Sequence, residues 1–221
     1  MTGARATFMG LEIETAEDVL IPRGETELLA RTALELLAEL GVAAPRVIDM
    51  CCGSGNLACA LAHAMPSGRV WASDLTDACV ALARRNVSRL ELGSRVEIRQ
   101  GDLFAGLAGD DLDGHADLVV CNPPYISTGR LAGESAHLLQ GQPREAFDAG
   151  PYGLTIHKRV INDAPRFLRP GGFLALEIGR GQEKQIDHLF SRASMFEAPQ
   201  RVNDEAGAPR VVVARLLSER G

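Results

Sequence analysis

Between Arg46 and Leu216, short apolar runs alternate with amphipathic stretches, and this alternation constrains the fold more than any other feature of the chain. Strand-like segments at 46–50, 69–73, 95–99, 116–121 and 172–178 are interleaved with helix-like ones that begin near Asn56, span Asp77–Leu92 and span His157–Leu168. Such spacing requires βαβ crossovers, so the class expected is α/β with a mostly parallel, doubly wound sheet and helices on both faces. Upstream, Glu25–Leu40 places Leu28, Leu29, Ala33, Leu36, Leu37 and Leu40 along one helical face, and Gly41 follows as a stop signal. Residues 8–21 alternate apolar and polar positions about the polar segment Thr15–Asp18, which predicts a short N-terminal β-hairpin. After a helix around Gln182–Arg192, strands near Phe196–Val202 and at Arg210–Leu216 flank a turn, predicting an antiparallel C-terminal edge. The 221 residues fit one domain, divided here into a hairpin over 1–22 and the α/β unit over 23–221.

Val47–Leu57 runs from a buried strand through a glycine-containing turn into a helix. At Gly53 and Gly55 the backbone can approach a ligand where a Cβ would obstruct it, at the carboxyl end of a strand where open α/β sheets bind ligands. Asp74 ends the next strand and is placed to accept hydrogen bonds from ribose hydroxyls. On these features alone a dinucleotide fingerprint is a fair competitor, because Gly53, Gly55 and Ala58 satisfy its loose form. Asp49 shifts the balance: a carboxylate four residues before the first glycine suits a ligand with a cationic amino group better than a pyrophosphate. S-adenosylmethionine carries such a group. Beyond the third strand, Asp102 can accept from an adenine amino group while Leu103 packs on the ring; capping of the following helices or turns is the lesser reading for Asp74 and Asp102.

The fourth strand ends in Asn122-Pro123-Pro124-Tyr125. Two prolines fix φ and remove two backbone donors, which leaves the carbonyls of Asn122 and Pro123 as dedicated acceptors. With the Asn122 side-chain oxygen they can hold both hydrogens of a planar NH2, and Tyr125 can cover its flat face. The group so held is an amide or an amino group conjugated to a ring. The irregular stretch from Ile126 to Gly153 follows directly and is expected to be a substrate loop.

IPRGETELL at 21–29, IDMCCGSGN at 48–56, the NPPY turn and QPREAFDAGPYGL at 142–154 resemble the HemK-like protein-glutamine N-methyltransferases, those of peptide release factors and, nearly as well, of ribosomal protein uL3. The resemblance implies a Rossmann-like class I methyltransferase that uses S-adenosyl-L-methionine, and it covers the catalytic domain. It also implies a cofactor site formed by Asp49, Cys51, Gly53, Gly55, Asp74, Leu75, Asp102, Leu103 and Asn122, with Thr26 bonded to the cofactor carboxylate. Asn122, Pro123 and Tyr125 would hold the glutamine amide. Cys51, Cys52 and Asn56 stand where the family more usually has small or hydroxyl residues.

Methyl transfer from a sulfonium is an in-line displacement, so such a site must mainly bring nitrogen and methyl carbon to about 3–3.5 Å in alignment. The acceptor expected is a glutamine amide in a translation protein. A small metabolite carrying an amide or amine is the alternative, and an amino group in nucleic acid a lesser one. A formal charge of −6 disfavours that last partner and an anionic membrane alike. A homodimer or a cofactor-binding subunit within a hetero-complex stays open. Five cysteines without CxxC spacing predict small core residues, no metal site and a reducing cytoplasm. No run approaches the roughly 18 apolar residues of a membrane span.

Overall fold

The computed structural model describes residues 4–124 and 153–218. In chain order it contains β1 (Arg5–Phe8), β2 (Leu11–Glu14), α1 (Gly24–Leu40), β3 (Arg46–Met50), α2 (Asn56–Ala64), β4 (Arg69–Asp74), α3 (Asp77–Arg89) and β5 (Val96–Gln100). A 3-10 turn at Leu103–Leu107 precedes β6 (Ala116–Cys121), α4 (Thr155–Phe167), β7 (Leu168–Glu177), α5 (Glu183–Ala193), β8 (Gln200–Asn203) and β9 (Pro209–Arg215).

The main sheet has the order β5-β4-β3-β6-β7-β9-β8. The first five strands are parallel, β9 lies antiparallel to β7, and β8 pairs antiparallel with β9. This is the expected doubly wound sheet with its antiparallel edge. Because both faces are covered, the central strands carry nearly continuous apolar runs. Val47, Leu118, Val120 and Ala175 point into one core with Leu29, Leu61 and Ala83. Ile48, Met50, Val119, Cys121 and Leu174 point into the other, with Ile161 and Phe190. Strand order reverses between β3 and β6, and at such a switch point the departing chain segments diverge and leave a crevice at the carboxyl ends of the strands.

Two boundaries differ from the sequence expectation. The hairpin turns at Met9-Gly10, with φ of 49° and 78°, and not at Thr15–Asp18. Two left-handed central residues match the twist of flanking strands, and β1 extends through Arg5–Thr7, where no buried alternation announces it. Leu168 begins β7 and does not end α4; Pro170 biases the residue before it toward extended backbone. The hairpin is fastened to the larger unit: Phe8 and Ile13 are fully buried in the first core, and the Met9 amide donates to Glu27 Oε1 at 2.8 Å. Among the described residues, no helix is long and apolar enough to cross a membrane.

Candidate functional site

A cleft of about 670 Å3 opens at the switch point, with Cys51, Gly53, Asp74, Leu75, Asp102, Leu103 and Asn122 on its wall. They come from the ends of β3, β4 and β6 and the segment after β5, so the sheet gathers residues far apart in sequence. A larger hollow of about 780 Å3 lies over the 3-10 turn and α4. It contains none of these strand-end residues.

The turn after β3 is built by hydrogen bonds that leave its ligand face bare. Asp74 Oδ2 accepts from the Gly53 amide at 2.9 Å, and Oδ1 accepts from the Thr76 amide at 3.2 Å. Each carboxylate oxygen has a second lone pair, so Asp74 organises the turn and can still accept from a ligand hydroxyl. Gly53 has φ +56°, and a Cβ there would meet no atom within 4 Å, because it would project into open space at the cleft. Gly55 is a different case: a Cβ would lie 3.1 Å from Ala83 Cβ, so this glycine permits the approach of α3 and does not line the cleft. The sequence reading gave both glycines one role. Cys51 lines the wall in a left-handed conformation, φ +59°, which is uncommon outside glycine and holds the chain in its sharp reversal.

Asp49 is completely buried beneath this turn. Oδ2 accepts from the Ala58 amide at 3.1 Å at the start of α2, while Oδ1 has no hydrogen-bond partner among the described residues. Burial pushes its carboxyl up to about 8; the Ala58 amide opposes this rise and Asp74 adds to it. An unpartnered buried carboxylate oxygen is expensive unless a donor or cation meets it. Asp49 is not on the wall itself.

On the adenine side of the expected site, Asp102 stands at the cleft with both carboxylate oxygens held by Arg159 of α4, at 2.9 Å each. Leu103 adopts φ +54°, and its carbonyl accepts from the buried Ser73 hydroxyl at 2.9 Å. Ser73 also reaches the wall, as do Leu20 and Ile156, none of which the sequence reading singled out, and Pro124 of the NPPY turn. Ser73 follows the apolar run Val70–Ala72 and precedes Asp74 at the end of β4, a polar signal that was present; Leu20, which enters from the segment after the hairpin, had none.

Asn122 directly follows β6 and lines the cleft, and its Nδ2 donates to Thr26 Oγ1 in α1 at 3.0 Å. Thr26 is buried and stands behind Asn122, not on the wall. Pro123 is likewise buried; Pro124 is the proline that lines the cleft. Tyr125, residues 126–152 and hence most of the QPREAFDAGPYGL motif lie outside the described residues. Burial raises the thiols of Cys52 and Cys121 well above their ordinary value and pushes those of Cys59 and Cys79 up to about 12, which disfavours the reactive thiolate at each.

A switch-point cleft with a Cβ-free cradle at Gly53, a buried carboxyl group with an unpartnered oxygen under it and acidic residues at strand ends, Asp74 and Asp102, fits S-adenosylmethionine, and the Asn122 amide borders the same space. Fold and site define an S-adenosylmethionine-dependent methyltransferase with a Rossmann-like fold. The family model "Methyltransferase small domain" matches residues 25–150. Over 212 residues the chain is 38% identical to a release factor glutamine methyltransferase of Moorella thermoacetica, covering 96% of this chain and 72% of the relative. Over 188 residues it is 40% identical to the 4-amino-L-phenylalanine/4-methylamino-L-phenylalanine methyltransferase of Streptomyces pristinaespiralis, covering 84% and 62%. The N-terminal domain of human METTL16, solved in complex with SAH, shares the fold at 17% identity with a TM-score of 0.66, over 96% of this chain and 77% of that one. The chain belongs to the release factor glutamine methyltransferase family.

Proposed function

We propose that the chain methylates the side-chain amide nitrogen of a glutamine in a peptide release factor. The observation that carries this reading is Asn122, which presents an amide to the cleft from the end of β6 in a chain similar along nearly its whole length to a release factor glutamine methyltransferase.

An amide nitrogen is a poor nucleophile because its lone pair is delocalised, so the residues around it must favour the state in which nitrogen carries positive charge. The Asn122 oxygen accepts one hydrogen of the NH2 and the Pro123 carbonyl the other. Both bonds strengthen as charge develops on nitrogen, which stabilises the transition state more than the bound ground state. Gly53 would let the backbone lie against the cofactor, Asp74 would receive its ribose, Asp102 and Leu103 its adenine, and Asp49, buried beneath the turn, would act on the cationic amino group through its charge. S-adenosylmethionine supplies an electrophilic methyl when bound. By the resemblance Tyr125 would cover the amide plane, and proton loss from nitrogen follows transfer. A release factor as substrate sets the enzyme in the cytoplasm.

A second reading is favoured by the relative from Streptomyces pristinaespiralis, named for aromatic amino acids with an amine on the ring. Such an amine is also a planar NH2 conjugated to a π-system, and Leu20 and Ile156 give the cleft apolar walls for a ring. The two readings separate when a bacterial release factor and 4-amino-L-phenylalanine are offered in parallel with labelled cofactor. The release factor is expected to be methylated at its Gly-Gly-Gln glutamine, with kcat/KM at least about 100-fold above that for the amino acid. Turnover of the amino acid alone would replace the first reading by the second.

A further inference from the structure

We infer that Thr26 is a positioning residue for the methyl acceptor: its hydroxyl holds the Asn122 amide with the NH2 turned inward and the oxygen turned to the cleft. The inference rests on the reading of Asn122 as the group that receives the acceptor nitrogen.

An asparagine amide fits its space almost equally well in two orientations, so its neighbours decide which atom faces the substrate. Here the inward neighbour is Thr26 Oγ1, which accepts from Nδ2 at 3.0 Å; a hydroxyl can also donate, so the NH2 of the substrate, which only Oδ1 can receive, completes the choice. Thr26 is itself rigidly placed: it is 3% exposed, sits in the first turn of α1, and its amide donates to the Arg23 carbonyl at 3.1 Å. Were the amide reversed, its NH2 would confront the NH2 of the acceptor, donor against donor. With Thr26 as acceptor, Oδ1 is the atom left for the substrate, and an acceptor nitrogen bearing two hydrogens is selected over one bearing none. Helix α1 thereby shapes the chemistry at the end of β6, 96 residues away in sequence.

The resemblance assigns Thr26 to the cofactor carboxylate, and the two roles predict different measurements. Thr26→Val removes the hydroxyl at nearly constant shape, Thr26→Ser keeps it, and Thr26→Ala is the second hydroxyl-free variant should valine disturb folding. Affinity for S-adenosylhomocysteine is read by calorimetry and single-turnover methylation by mass on a release factor. Thr26→Val is expected to lower the methylation rate about 10-fold or more with S-adenosylhomocysteine affinity held within about 2-fold, and Thr26→Ser to restore the rate. In an Asn122→Ala background, Thr26→Val should add no further loss. Equal losses of rate and of S-adenosylhomocysteine affinity would overturn the inference in favour of a cofactor contact. Wild-type rate in Thr26→Val beside a slow Asn122→Ala would overturn it while leaving the proposed clamp standing. Wild-type rate in Asn122→Ala would remove the clamp and the inference with it.

Discussion

Gly53 and Gly55 sit two residues apart in one turn, yet the physical reason for a glycine differs between them. At Gly53 an added Cβ meets nothing in the protein and would occupy the cleft; at Gly55 it meets the Cα and Cβ of Ala83 within 3.3 Å. Gly53→Ala is therefore expected to weaken S-adenosylhomocysteine binding about 10-fold or more while costing only the roughly 1–2 kcal/mol of a left-handed alanine. Gly55→Ala carries the same backbone strain plus overpacking, so its larger effect should be a loss of stability of about 2–4 kcal/mol. Calorimetry and thermal melts on both variants check the division. Asp49 yields a prediction in protons. With its carboxyl at about 8 in the folded chain, it is mostly protonated at pH 7, and a cationic amino group bound over the turn favours loss of that proton. S-adenosylmethionine binding at pH 7 should release up to one proton, seen as a dependence of binding heat on buffer ionisation enthalpy. Asp49→Asn should abolish the release, and no release from the wild type would place the cofactor amino group elsewhere.

The hairpin β1–β2 and helix α4 are the elements whose anchoring was least visible in the sequence. Asn86 of α3 is fully buried and ties both sides of the cleft's support together. Its Oδ1 accepts from the Glu14 amide at 2.8 Å, and its Nδ2 donates to the carbonyls of Glu14 and Ser54 at 3.1 and 3.0 Å. Asn86→Ala leaves those backbone groups without it and should lower stability by about 2–4 kcal/mol in denaturant unfolding. In α4, His157 is buried with Nε2 at 2.9 Å from the Glu177 carbonyl, and burial drives its imidazole down to about 4, against the pull of that carbonyl. The unfolded chain binds this proton near pH 6.5, so the stabilisation is complete above that pH and is lost as pH falls toward 4, on the order of 3 kcal/mol in all. His157→Gln should flatten the fall in melting temperature over that interval. Periodicity and glycine stops located most helices and strands, including α1 with Gly41 at its left-handed cap, because those signals are local. Contacts such as Asn86 to Glu14 join residues 72 apart and leave no period to read.

At the scale of the whole molecule, the sheet order turns scattered motifs into one site. Gly53, Asp74, Asp102, Leu103 and Asn122 were legible beforehand as residues of the cleft, because each stands at the carboxyl end of a recognisable strand and such ends converge at a switch point, whereas Cys51 and Leu75 came from the resemblance alone. Three positions expected at the cofactor are not on the cleft wall: Gly55 serves helix packing, Asp49 lies beneath the turn, and Thr26 stands behind Asn122. Their residue types were informative, but which side of the backbone they occupy depends on tertiary packing. The bidentate grip of Arg159 on Asp102 was equally invisible, since it links α4 to the strand end across 57 residues. The most direct test of the central claim is the site of methylation on an intact bacterial release factor incubated with the purified chain and labelled S-adenosylmethionine, compared with the Asn122→Ala variant. The account predicts one methyl group on the side-chain nitrogen of the Gly-Gly-Gln glutamine and at least a 100-fold slower reaction in the variant, roughly the loss expected for a transition-state acceptor. An unmodified glutamine, or an Asn122→Ala variant as fast as the wild type, would contradict it.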